Sequence, residues 1–202
     1  MKVEYNNEMD IIQVGCHTGK DEHSDLIKQS KSAVLIDANP NCIKQAKEIY
    51  NHYNHIFFET VAVIPVDIKG VEIELFQEQN KEDSSWASVN PDFVAAHCHH
   101  SNLKSFQAKT TTLSNLIRKY PETDTLIVDT EGLDFLNLLS IDNVLFNQLD
   151  SITFEYIHSD GIVQNGPKLD CLLRFLTNLG FNKITQQEYN LKCEKYYGKF
   201  NV

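Results

Sequence analysis

The sequence predicts an α/β fold, a largely parallel β-sheet with helices on both faces. Three observations predict it. Short apolar runs alternate with helix-like stretches from Asp10 to Leu179, the pattern of strands joined by crossover helices. Most of the buried runs stop abruptly at a glycine or an acid. The 202 residues are 42% hydrophobic and carry no repeat or Pro/Gly/Ser linker, which suits one domain over 1–202 with a single core.

The elements follow in order. Asp10–Val14 (DIIQV) is a buried strand ending at Gly15, and Asp21–Ser30 reads as a mostly polar helix. Ser32–Ile36 (SAVLI) is the second strand, closed by Asp37. Asn39 and Pro40 open a helix to about Tyr53, with Pro40 in the first turn, where its missing N–H costs nothing. His55–Val63 is a third strand, and Val71–Phe76 (VEIELF) alternates apolar and acidic residues as a half-exposed strand does. Residues 77–109 are polar and give no clear element. Thr112–Tyr120 is an amphipathic helix, Thr125–Asp129 (TLIVD) a strand, Leu133–Leu149 mostly helix, and Ser151–Glu155 (SITFE) a strand. Pro167–Leu179 has proline at the start and Gly180 just past the end, the expected helix asymmetry. Phe181–Thr185 and Leu191–Tyr197 close the chain as two strands around a turn near 188–190.

Composition narrows the function. Eighteen Lys and Arg against 28 Asp and Glu give a net charge of −10, the wrong sign for a broad phosphate-binding face. Five cysteines without a CxxC read as free thiols in a reducing compartment. The opening MKVEYNNEMD lacks a signal-peptide core, and no apolar run reaches the ~20 residues of a membrane span. A cytoplasmic protein without a membrane span is expected.

In a parallel sheet, ligands bind beyond the carboxyl ends of the strands. After the first strand stands Gly15-Cys16-His17-Thr18-Gly19, where glycines allow a tight turn and close approach to a ligand; a plain turn would use them equally well. After the second stands Asp37, 22 positions beyond Gly15, near the ~20-residue spacing of a glycine loop and a ribose-binding acid. Helix capping is the plainer role for that acid. Asp129-Thr-Glu131-Gly132 and Glu155-Tyr-Ile-His158 follow the fourth and fifth core strands. Three carboxylates and a histidine then share one rim, with no Lys or Arg in either segment to pair them, which points to a functional site. His97-Cys-His-His100 lacks zinc-site spacing. The acidic rim has room for a divalent ion, but no ligand spacing demands one, so no metal is expected.

Taken together, IIQVGCHTG (11–19), LIDANPNC (35–42), ETVAV (59–63), KGVEIELF (69–76), TTLSNLI (111–117), LIVDTEGLDFLNLL (126–139) and SITFEYIH (151–158) resemble the FkbM-type branch of the class I S-adenosylmethionine-dependent methyltransferases. The matches keep family order and cover nearly the whole chain. Two departures stand out: Gln13 where the family often has an acid, and Cys16-His17 where it usually has Ala-Asn.

The resemblance implies a Rossmann-like class I methyltransferase fold: a mostly parallel seven-stranded sheet with helices on both faces and a C-terminal antiparallel hairpin. It implies S-adenosylmethionine as cofactor and S-adenosylhomocysteine as product. Gly15, Cys16, His17, Thr18 and Gly19 would wrap the methionine part, Asp37 would bind the ribose, and Ala38, Asn39, Val61 and Ala62 would border the adenine. Asp129 would lie near the amino group or sulfonium, while Glu131, Glu155 and His158 would line the acceptor site. Family members of this type methylate hydroxyl oxygens, often on sugars or natural products.

A hydroxyl needs a base as it attacks. His158 is the first choice, since an ordinary histidine is largely neutral at pH 7; Asp129, Glu131 and Glu155 are the other catalytic candidates. Trp86 is a candidate to stack on the acceptor, with core anchoring equally open. With only ten residues before the first strand, the acceptor site is expected from the 77–109 insert and the loops after strands four and five. The expected partner is a small-molecule or glycan acceptor, not nucleic acid; a homodimer, or linkage to other glycan-processing domains in a longer chain, stays open. A nucleotide-binding oxidoreductase and a non-catalytic module of the same fold are the competing readings. The missing G-x-G-x-x-G argues against the oxidoreductase.

Overall fold

The structure is a computed structural model that describes residues 10–66, 72–82, 87–98, 102–156, 168–187 and 189–195, with backbone alone for 97 and 98. Seven strands form the main sheet: β1 (Asp10–Val14), β2 (Ser32–Asp37), β3 (Ile56–Thr60), β7 (Thr125–Val128), β8 (Ser151–Glu155), β9 (Phe181–Gln186) and β10 (Asn190–Lys195). Their order is β3-β2-β1-β7-β8-β10-β9. All pairings are parallel except those of β10, which runs antiparallel to both β8 and β9. The expected mostly parallel seven-stranded Rossmann-like sheet is present, including the C-terminal antiparallel hairpin.

Both faces are covered, as parallel strands require. Ile11, Ala33, Leu35 and Ile127 pack on Ile27 of α1 (Ser24–Gln29) and Ile43 of α2 (Pro40–Ile49). On the opposite face, Ile12, Val34, Leu126 and Ile152 meet α4 (Leu113–Lys119), α5 (Asp134–Leu139), a 3-10 helix (Asn143–Gln148) and α6 (Leu169–Asn178). Ile12, Leu35, Leu126 and Ile152 are wholly buried. Burial of each such side chain contributes about 1.5–3 kcal/mol, which makes these two layers the main source of stability.

Three sequence expectations change. The single strand expected over 55–63 leaves the main sheet at Val61. Its continuation, β4 (Ala62–Val63), joins a second sheet of order β4-β6-β5, with β5 (Glu72–Glu78) and β6 (Leu103–Thr111). Among its described residues, the region 77–109 holds the end of β5, α3 (Pro91–Cys98) and most of β6. Finally, the helix expected over Leu133–Leu149 breaks at Ser140–Asp142 into α5 and the 3-10 turn. Ser140 caps α5 through its backbone N–H to Leu136 O, and its hydroxyl donates to Asn137 O.

The ladder register sets the site. Val14 pairs with Ile36 and with Val128, and Val128 pairs with Phe154. The next residues, Asp37, Gly15, Asp129 and Glu155, thus stand in one row at the carboxyl edge. The chain turns outward to opposite sides from β1 and β7, which places this row at the sheet's switch point. Among the described residues no helix is long and apolar enough to cross a membrane.

Candidate active site

Gly15 turns the chain out of β1 with φ +73°, and a Cβ there would lie 1.6 Å from the Asp129 carbonyl oxygen. Only glycine allows β1 and β7 to approach this closely. The N–H groups of Gly15 and Cys16 both donate to Ile36 O, at 2.8 and 3.0 Å, folding the loop over β2. His17 then takes a left-handed conformation (φ 46°), and its N–H donates to Asp37 Oδ2 at 2.9 Å. The other oxygen of Asp37 accepts from Asn39 N–H at 2.8 Å. Burial raises the Asp37 carboxyl to about 6, against the opposing pull of the Asn39 and His17 N–H groups.

The loop after β7 is shaped from within. Asp134, wholly buried at the start of α5, accepts from Thr130 N–H (2.8 Å) and Gly132 N–H (3.3 Å). Buried Asn137, one turn on, donates to Val63 O and Thr130 Oγ1, both at 3.2 Å. Asp134 and Asn137 therefore hold the D-T-E-G turn against β4. Glu131 is left at φ 49°, a rare conformation for a residue with a side chain. Its carbonyl accepts from Ser88 Oγ at 3.1 Å.

A cleft opens over this row. The strand-end loops supply one wall, with Gly15, His17, Asp37, Ala38, Asp129 and Glu131. Val61–Ile64 and the small sheet supply the other, where Ile73, Leu75 and Val89 add apolar surface. The cleft encloses about 710 Å³ of empty space including its open mouth. The insert is tied down at both rims. Asn39 Nδ2 donates to Gln77 Oε1 (2.9 Å) and Glu82 O (2.8 Å), while backbone bonds between Ser88 and Phe76 bring Ser88 to Glu131.

At one end of the cleft, Asp129, Glu131 and Glu155 each place an oxygen within 4.8 Å of the others. Burial raises the Asp129 carboxyl well above its ordinary range, and the Asp134 and Glu155 charges add to this. Glu131 is raised for the same reasons, by burial first and then by Asp129 and Glu155.

The structure thus gathers Gly15, His17, Asp37, Ala38, Val61, Ala62, Asp129 and Glu131 on the cleft, with Glu155 beside it. Cys16, Thr18, Gly19 and Asn39 are not among its lining residues. Cys16 is wholly buried against Ile27 and Ile43, and burial pushes its thiol up. Gly19 packs on Tyr50, whose hydroxyl donates to the Gly19 carbonyl at 2.7 Å. Asn39 caps α2 and faces the insert. Gln13 donates to Asp21 Oδ2 at 2.6 Å, which brings an acid from α1's approach to β1. His158 and Trp86 lie outside the described residues. Sequence reading missed Asp134, Asn137, Ser88 and the Ile73–Leu75 wall. For the last pair, the alternation in VEIELF was the available signal.

No family model and no curated protein matches the chain. Among solved structures, it is similar to an rRNA methylase from Streptococcus thermophilus, with 10% identity over 94% of this chain and 88% of that one, at a TM-score of 0.49. It is similar to a precorrin-6y C5,15-methyltransferase from Geobacter metallireducens GS-15, with 8% identity over 96% and 84% and a TM-score of 0.49. A third is magnesium protoporphyrin IX methyltransferase from Synechocystis PCC 6803 with bound SAM, with 11% identity over 94% and 71% and a TM-score of 0.46.

Proposed function

We propose that this chain is an S-adenosylmethionine-dependent O-methyltransferase acting on a hydroxyl of a neutral sugar or glycan. The observation that carries the reading is Asp37. It stands at the end of β2, on the cleft, with its carboxylate oxygens accepting from the His17 and Asn39 N–H groups. An ionised carboxylate offers about four acceptor positions, which leaves room for a ribose hydroxyl donor. The glycine turn at Gly15 is the close-approach point for the methionine part, with His17 beside it, and the apolar wall of Ala38, Ala62, Ile73 and Leu75 suits an adenine ring. These residues fit the cofactor, which when bound supplies an electrophilic methyl group on a sulfonium.

The chain's own contribution is then orientation and proton handling. The strand-end row holds the acceptor hydroxyl next to the cofactor site, and alignment of this kind supplies much of the acceleration. His158 is the proposed base. Asp129, Glu131 and Glu155 are proposed acceptor contacts. The carboxyls of Asp129 and Glu131 have a raised affinity for protons, which suits groups that take up or share a hydroxyl proton. The acidic end of the cleft repels phosphate, and the chain's charge of −10 favours an uncharged acceptor in the same way.

The test is transfer of isotopically labelled methyl from S-adenosylmethionine to a panel of neutral sugars, glycosides and small phenolic or aliphatic alcohols, read by mass. Label on a sugar oxygen that falls at least about a hundredfold in His158→Ala supports the whole reading; a loss of this size is the low end for a general base. Label only on a non-sugar alcohol overturns the acceptor class. Unchanged turnover in His158→Ala removes it as base.

A further inference from the structure

We propose that Gln77 is a positioning residue for the nucleoside end of the cleft: by holding Asn39, it fixes the acid Asp37 and the apolar wall of the insert at one separation. The proposal rests on the cofactor reading above. Neither Gln77 nor Asn39 is among the cleft's lining residues, so each acts through its neighbours.

The bond joins residues 38 positions apart, and both are almost wholly buried, Asn39 2% and Gln77 4% exposed. Asn39 stands two residues after Asp37, and its N–H donates to Asp37 Oδ1 at 2.8 Å. Its side-chain Oδ1 accepts the Asn41 N–H at 3.0 Å, which caps α2. Its Nδ2 carries two protons, which go to Gln77 Oε1 at 2.9 Å and Glu82 O at 2.8 Å. Gln77 Nε2 in turn donates to Lys81 O at 3.1 Å. The two amides thus orient each other, and a shift of β5 would leave a buried donor unpaired.

Gln77 belongs to the same row of β5 as Ile73 and Leu75, because side chains two apart share a face of a strand. β5 pairs with β6 from Glu72 to Glu78 in one continuous register, so a pull at Gln77 is felt along the row. Ile73 and Leu75 line the cleft, as do Asp37 and Ala38. Tying Gln77 to Asn39 therefore sets how far the apolar wall stands from the acid. A ligand that spans ribose and base touches both sides and gains most from a fixed separation, since closing a loose slot would subtract from its affinity. The methionine end, at the Gly15 turn, lies outside this link.

Full-length protein is titrated calorimetrically with adenosine and with S-adenosylhomocysteine. Gln77→Met keeps the side-chain length without its hydrogen bonds, and Asn39→Ser keeps a helix cap without the Nδ2 donors. Each is expected to weaken both ligands by the same factor, about fivefold or more, the scale of one hydrogen bond. The double variant should bind about as weakly as the weaker single one, because both substitutions break one link. Hydrogen exchange at the β5 amides should slow on adding S-adenosylhomocysteine in the parent and by less in Gln77→Met, a response that a merely stabilising bond would not alter. Unchanged affinity in folded Gln77→Met, or losses that multiply in the double variant, would overturn the proposal. So would failure of both single variants to fold in thermal melts, which would make the pair a stability element alone. A parent that binds neither ligand would overturn the cofactor reading and this proposal together, an outcome distinct from saturable binding that ignores Gln77.

Discussion

Replacing Gly15 with alanine tests the geometry on which the site depends. The new Cβ would stand 1.6 Å from the Asp129 carbonyl oxygen, whereas Cβ atoms essentially never approach closer than 3.0 Å. The ends of β1 and β7 must therefore separate by more than an ångström. That displacement is too large for both the Asp129 N–H bond to Val14 O (3.0 Å) and the Gly15 N–H bond to Ile36 O (2.8 Å) to persist. Each bond lost in a buried setting costs about 1–3 kcal/mol, and alanine at φ +73° adds about 1–2 kcal/mol. With one such bond lost, a total of about 2–5 kcal/mol follows, at the high end for a single substitution.

Gly180→Ala is the internal control. Gly180 also has positive φ (+97°), but its Cβ would meet nothing closer than Lys195 Cγ at 4.0 Å. Only backbone strain remains, about 1 kcal/mol. The assay is urea unfolding of both variants beside the parent, with the midpoints compared at constant m. Equal losses for the two variants would refute the close β1–β7 contact, as would a Gly15→Ala loss under about 1 kcal/mol.

Three further outcomes are expected. The Asp37 carboxyl, raised to about 6 in the fold, holds a proton between its unfolded value and 6. The native state binds more protons over that window, so this group's contribution to stability falls as pH rises through it, by about 3 kcal/mol in all; Asp37→Asn removes that component from a stability–pH curve. Ribose hydroxyls donate to the ionised form, so S-adenosylmethionine affinity should rise with pH up to about 6 and level off above it, with no such slope in Asp37→Asn; a slope surviving the substitution removes Asp37 from the site. Asp134→Ala leaves the N–H groups of Thr130 and Gly132 without their acceptor and should cost about 2–4 kcal/mol in urea unfolding, with a neutral result showing that the loop holds itself.

The strand-end row was readable from sequence because each strand is a short apolar run that stops sharply. Ile11–Val14, Ala33–Ile36, Leu126–Val128 and Ile152–Phe154 are all buried, so the polar or glycine residue after each marks the strand's end at the sheet edge. Their alignment is a property of the ladder, and the sequence carries no mark of register between distant strands. The insert was unreadable for a related reason. β6 (LKSFQAKTT) alternates in burial from Ser105 to Thr110 but buries only Ala108 fully, and Phe106, Ala108 and Thr110 make too weak an apolar period to mark a strand. The break after α5 has no glycine or proline to announce it. Asp134 reads as a first-turn helix acid, yet its carboxylate serves the backbone of the preceding loop. The Gln13–Asp21 contact joins a residue of β1 to one in the loop before α1, which spacing alone does not reveal.

The most direct test is calorimetric titration of the full-length protein with S-adenosylmethionine and with S-adenosylhomocysteine. The account predicts saturable one-to-one binding of both, weakened at least about tenfold in Asp37→Asn, the loss of a paired charge-assisted contact. An absence of binding, or binding that Asp37→Asn leaves unchanged, would contradict it.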